Sequence, residues 1–151
     1  MLMTLTVFST VLSGVMIYVL GQFVVKLVIE PVQETKKAIA QISHSLIEYG
    51  DIIQNPGVPA KEKTVEVSQH LRMLSAQLHS HLFLVPCYRV TAFVFRLPAR
   101  DKILMAAKQL MGLSSAIFSK SDAYEEIAKR RAMICDSLGI YFAADERWPK
   151  E

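Results

Sequence analysis

Apolar residues fall along the chain in two regimes. From Leu5 to Val25 (LTVFSTVLSGVMIYVLGQFVV) no charge interrupts them. At about 1.5 Å per helical residue, such a stretch matches the roughly 30 Å hydrocarbon layer of a bilayer. Lys26 ends the uncharged run, and Pro31 follows after LVIE. A periodic regime overlaps this run and continues past it. Val7, Val11, Gly14, Tyr18, Gly21, Val25, Val28, Val32, Thr35, Ile39, Ile42, Leu46, Tyr49 and Ile53 alternate four and three apart. That is a heptad stripe passing from a membrane span into a polar helix. Pro31 inside it predicts one long bent helix, or two helices hinged at the membrane surface. Thr10, Gly14 and Gly21 line one side of the span as a small-residue packing face. Ile39, Ile42 and Leu46 carry the stripe onward. A second copy of the chain would use such a face. Glycine is also common in spanning helices, and a helix packed in its own bundle shows the same stripe.

Further elements follow from the same pattern. A helix over 31–50 ends at Gly50. The segment DIIQNPGVPAKEK holds Asn55-Pro56-Gly57 and Pro59, which predicts a loop over 51–60. A helix over 61–84 places Val67, Leu71, Leu74, Leu78 and Val85 on one face. It should close on the preceding helix as an antiparallel hairpin. Pro86 ends it. The segment PCYRVTAFVFRLP has strand-forming residues but no partner strand, so a short helix between the prolines is expected. Val90, Phe93, Val94 and Leu97 are its apolar residues, and Arg89 and Arg96 share a face. This segment reads equally as a helix in the membrane interface and as a core helix with extended arginines. Pro98 and Asp101 open the next helix. Its expected buried face is Ile103, Ala107, Leu110, Met111, Ile117 and Phe118, and Gly112 marks a close approach. Ser121 or Asp122 can cap a last helix that runs to Leu138 and stops at Gly139. The tail has no periodic pattern. The expected fold class is all-α: an N-terminal transmembrane anchor over 1–29 continuing into a small helical bundle over 30–138, then a C-terminal tail over 139–151.

Charge gives the expected orientation. All 17 Lys and Arg residues lie at or beyond Lys26. The positive-inside rule then puts the N-terminus outside and the bundle in the cytoplasm of a bacterial inner membrane. A cleaved signal peptide would have a basic leading segment and a shorter apolar core. An uncleaved signal anchor fits better. Cys87 and Cys135 form no disulfide framework, as suits a reducing compartment. Lys36, Lys37, Arg89, Arg96 and Arg131 are the candidates for contact with anionic lipid. Acidic residues are interleaved with the basic ones, which argues against a nucleic-acid partner.

The sequence offers little chemistry. His70 and His81 are about 16 Å apart along one helix flank, too far to share a metal. His79 and His81 point to different sides, and Cys87 is the one sulfur nearby. There is no nucleophile elbow and no phosphate-cradling glycine loop. No catalytic, cofactor or metal residues are expected.

Several short strings, in order, resemble a family of small single-span bacterial membrane proteins of unassigned function. They are Ile29-Glu30-Pro31-Val32, Asn55-Pro56-Gly57, Leu74-Ser75-Ala76-Gln77-Leu78, Val85-Pro86-Cys87-Tyr88, Leu97-Pro98-Ala99-Arg100 and Leu110-Met111-Gly112-Leu113-Ser114. The resemblance covers most of the chain up to about Leu138. It implies an inner-membrane location and no activity. Residues 28–84 also resemble the layout of the HAMP signalling module, without the usual landmarks of its connector. The leading expectation is a non-catalytic membrane protein that acts by self-assembly, as a homodimer, or by binding other membrane or cytosolic proteins. The alternative is a membrane-surface sensing or relay module that contacts the lipid bilayer.

Overall fold

The computed structural model describes residues 2–55, 61–119 and 124–141. Pro56, Gly57, Pro59, Ser121, Asp122 and Trp148 lie outside the described residues. Every regular element described is helical, so the chain is all-α with a long apolar N-terminal helix. The elements are α1 (Leu2–Val24), a π-helical turn (Val25–Ile29), α2 (Glu30–Glu48), α3 (Gly50–Gln54), α4 (Lys61–Leu84), α5 (Tyr88–Phe95), α6 (Arg100–Ala116) and α7 (Tyr124–Leu138).

Pro31 does not break the first helix, which continues through it as the one-long-helix alternative expects. The backbone runs helically from α1 into α2 through the π turn, where Glu30 N–H donates to Val25 O, five residues back. The reason is local. A proline has no N–H to donate, and its ring crowds the carbonyl four residues earlier. Widening the turn just before it makes room for the ring without ending the helix. Thr35 Oγ1 then donates to Pro31 O at 2.9 Å, which ties the first turn of α2 together.

Four helices, α2, α4, α6 and α7, pack up-down-up-down. Interhelical bonds set the register. Ser45 Oγ meets His70 Nε2 at 2.9 Å near the far end of α2, while Val32 packs against Val85 at the near end. Ser68 Oγ donates to Ser114 O at 2.9 Å and Ser75 Oγ to Ala107 O at 2.7 Å, which fixes α4 antiparallel to α6. Serine and alanine at these positions let the two backbones come close. Ile42, Leu46, Ile53, Leu71, Leu74, Leu78, Ile103, Leu110, Leu113, Ile117 and Ile134 fill the centre, each fully buried. A smaller cluster of Val32, Val85 and Leu97 closes the end nearest α1, with Ala92 and Phe95 of α5 against it.

Three expectations are corrected. The segment 51–60 is not all loop: after a break at Tyr49, α3 adds a helical turn that buries Ile53 completely. Burial of the Ile52-Ile53 pair outweighs the turn signal of Gly50-Asp51. The buried stripe of α6 is rotated. Met111 and Phe118 stand about half exposed (46% and 50%), while Ala106, Leu113 and Ser114 face inward. Gly112 accommodates a side chain rather than a helix backbone, since a Cβ there would meet the guanidinium of Arg130. At the end of α7, Gly139 takes φ +67, and Ile140 N–H reaches back to Cys135 O at 2.9 Å. That left-handed stop is one only glycine adopts without strain.

Candidate functional site

Two surfaces and one polar pair stand out. The first surface is α1. Its described side chains are exposed along the whole length, with Phe8 at 66%, Ile17 at 71% and Phe23 at 56%. Among the described residues, nothing beyond the helix's own neighbouring backbone comes within 4 Å of a Cβ built on Gly14 or Gly21. Ser13 Oγ donates to the carbonyls of Ser9 and Thr10, both at 3.0 Å, so its hydroxyl is satisfied within the helix. A helix in lipid requires that kind of self-sufficiency. Among the described residues, one helix is long and apolar enough to cross a membrane, and this is it.

The structure divides the expected packing face in two. Thr10, Gly14 and Gly21 lie on the open surface of α1. Ile42 and Leu46 are fully buried in the chain's own bundle, and Ile39 is half-buried against the same core. Beyond Pro31 the heptad stripe is therefore used within one chain. It offers no second copy a seam without opening the bundle.

The second surface is the near end of the bundle. Here α4 finishes with Phe83 and Leu84 exposed, at 62% and 60%. The chain turns through Cys87, and α5 follows. Val90, Phe93 and Val94 point away from the core, with Phe93 86% exposed. Thr91 is the inward residue of this helix, its Oγ1 bonded to Pro86 O at 2.9 Å. Tyr88 Oη donates to Pro98 O at 2.6 Å, which clasps the two ends of the segment, and burial pushes its phenol pKa up. The residues before and after α5, Cys87 and Arg96, hold left-handed backbone at φ 45 and φ 53. Arg89 and Arg96 are exposed, and the Arg100 guanidinium lies 5.5 Å from the centre of the Phe83 ring.

The remaining basic candidates separate. Lys36 is exposed on α2. Lys37 Nζ donates to Glu34 Oε1 at 2.7 Å, and this bond holds the Glu34 carboxyl below the usual range. Arg131, expected at the lipid, is only 9% exposed. It sits with Ile53, Gln54, Tyr124 and Ile127, towards the end of the bundle away from α1. It is not a lipid contact in this fold. Its long apolar stem lets it join the inner face of α7.

The polar pair was not visible in the sequence. Ser45 and His70 have the geometry of a nucleophile and its base, but Ser45 is only 2% exposed, and no carboxylate among the described residues is bonded to His70. The Tyr49 ring packs edge-on to the His70 ring, 5.6 Å between centres. The pair joins α2 to α4. The histidines do not converge: among the described residues, no three His, Cys, Asp or Glu groups could hold a metal. Cys87 is exposed, Cys135 half-buried, and both are free thiols.

The fold and these surfaces define an all-α chain whose apolar helix continues into an antiparallel four-helix bundle. No protein-family model, curated protein or solved structure matches it. The resemblance to small single-span bacterial membrane proteins therefore rests on the quoted residues alone.

Proposed function

We propose that the chain is a single-pass protein of the bacterial inner membrane, with its N-terminus outside and its bundle in the cytoplasm. It acts by binding, either to a second copy or to another membrane or cytosolic protein, and it has no catalysis of its own. One observation carries this reading. An apolar helix with no packing partner among the described residues joins, without a break, a bundle that satisfies its own core. Such a span is an anchor, and its open glycine face is the part left for assembly. The inward orientation is supported by the placement of every Lys and Arg at or after Lys26.

A second reading, contact of the bundle with anionic lipid, is favoured by the exposed apolar residues of α5 beside Arg89 and Arg96. Topology reporters fused after Glu151 test the anchor, and a periplasmic signal would reject the orientation. Cysteine cross-linking in membranes tests assembly. Gly14→Cys should give a dimer and Ile42→Cys should not. Monomer from Gly14→Cys would leave a different partner as the binding target.

A further inference from the structure

The most exposed of the large apolar side chains on helices α2 to α7 gather at one end, while Ile47, Met105 and Phe118, about half exposed, are scattered elsewhere. Phe83, Leu84, Val90, Phe93 and Val94 are each more than half exposed. All belong to the end of α4 and to α5, which pack beside Val32 at the first turn of α2. Val32 lies roughly 9 Å along the helix beyond Lys26, at about 1.5 Å per residue. Headgroups occupy the outer several ångströms on each side of a bilayer whose full thickness is about 40–45 Å. The antiparallel register of α2 and α4 therefore brings these residues to headgroup depth whenever α1 spans. Leu27, in the π turn between α1 and α2, is itself 57% exposed. Arginine borders the apolar cluster at Arg89, Arg96 and Arg100. Left-handed backbone at two non-glycine residues holds an eight-residue helix from which Val90, Phe93 and Val94 face out. Strain of that kind persists where the arrangement has a use.

We infer that α5 is a foot set in the membrane interface. It lies in the headgroup layer of the leaflet from which α1 emerges, with Val90, Phe93 and Val94 towards the acyl chains and Arg89 and Arg96 towards anionic phosphates. The inference rests on the reading of α1 as a span. It adds a second, non-spanning contact that fixes the bundle against the bilayer.

Tryptophan quenching in the full chain tests it. Trp148→Phe removes the native fluorophore, and Phe93→Trp, Val11→Trp or Phe118→Trp supplies a single probe. Each variant is reconstituted into phosphatidylethanolamine and phosphatidylglycerol vesicles with brominated acyl chains. The foot predicts blue-shifted emission from Phe93→Trp that loses most of its intensity to the bromines. Val11→Trp should be quenched too, while Phe118→Trp, at the far end of α6, should emit as in water. Exchanging phosphatidylglycerol for phosphatidylcholine should weaken quenching at Phe93→Trp and leave Val11→Trp unchanged. Quenching at Val11→Trp without any at Phe93→Trp would overturn the foot and keep the span. Blue-shifted but unquenched Phe93→Trp would do the same, because a second copy or a protein partner would then cover the face. An unquenched Val11→Trp would overturn the span itself.

Discussion

Arg130 and Gly112 show how a single side chain can decide the identity of its neighbour. Arg130 donates from Nη1 to Gln109 at 2.9 Å and from Nη2 to Glu126 at 2.6 Å. It lies flat over α6 where Gly112 has no Cβ. Glycine inside a helix costs about 1 kcal/mol relative to alanine. A hydrogen bond such as the one to Gln109 is worth about 0.5–1.5 kcal/mol net. The two effects are of similar size, so Gly112→Ala alone should change stability little. In an Arg130→Ala background the obstruction is gone, and the same change should stabilise by about 1 kcal/mol. A double-mutant cycle by chemical denaturation measures this coupling.

The two thiols should also diverge. Burial pushes the Cys135 thiol above its ordinary range, against a smaller opposing pull from Arg131. The fold thus favours the neutral thiol. That contribution is complete below the unfolded thiol's pKa and is lost as pH rises through the folded value. A maleimide at neutral pH should label Cys87 quickly and Cys135 only on unfolding or at alkaline pH. Peptide mapping after timed labelling checks this.

Among elements, α5 departs furthest from helical convention. Arg96 occupies the left-handed C-terminal position that glycine usually fills, and Leu97 N–H returns to Ala92 O at 3.0 Å as that motif requires. A left-handed L-residue costs about 1–2 kcal/mol. Arg96→Gly should therefore raise bundle stability by about 1 kcal/mol while weakening attachment to anionic vesicles, which loses roughly 1 kcal/mol per basic residue removed. Denaturant titration and vesicle flotation would record the opposite signs.

The elements were the part of the fold most legible in the sequence. Apolar spacing and prolines bounded α4 over 61–84 and marked out α5. The antiparallel hairpin of α2 and α4 was legible too, but the side-chain contacts that fix it were not, for physical reasons. The partnership of Ser45 with His70 depends on a register that sequence distance does not encode. Arg131 projects near the apolar face of its helix and reads as a candidate for lipid, but the fold leaves it only 9% exposed, lining one cavity with Ile53. Both outcomes for the heptad stripe, another chain or its own bundle, use the same residues. Only packing distinguishes them, and it consumes Ile42 and Leu46 internally. For the candidate site, the apolar stripe and arginines of α5 were legible, but not which way they faced, because facing follows from what already fills the core.

In the whole molecule, the apolar first helix and the bundle are energetically separate. Among the described residues, none of the apolar window of the first helix is buried, so removing it deletes no described core contact. Residues 26–151 should unfold at the same temperature as the full chain in mild detergent. A marked loss of thermal midpoint, followed by circular dichroism, would mean that the first helix contributes packing to the bundle. The π turn gives the joint between these two parts a further property. A helix advances about 100° around its axis per residue, and the widened turn takes in about one residue more than an α-turn. It therefore sets the azimuth of everything after Ile29 relative to everything before Val25. The bearing of the glycine face relative to the bundle is fixed by this one widened turn. If two copies met along Gly14 and Gly21, their bundles would be held at a compass heading written into the backbone between Val25 and Ile29.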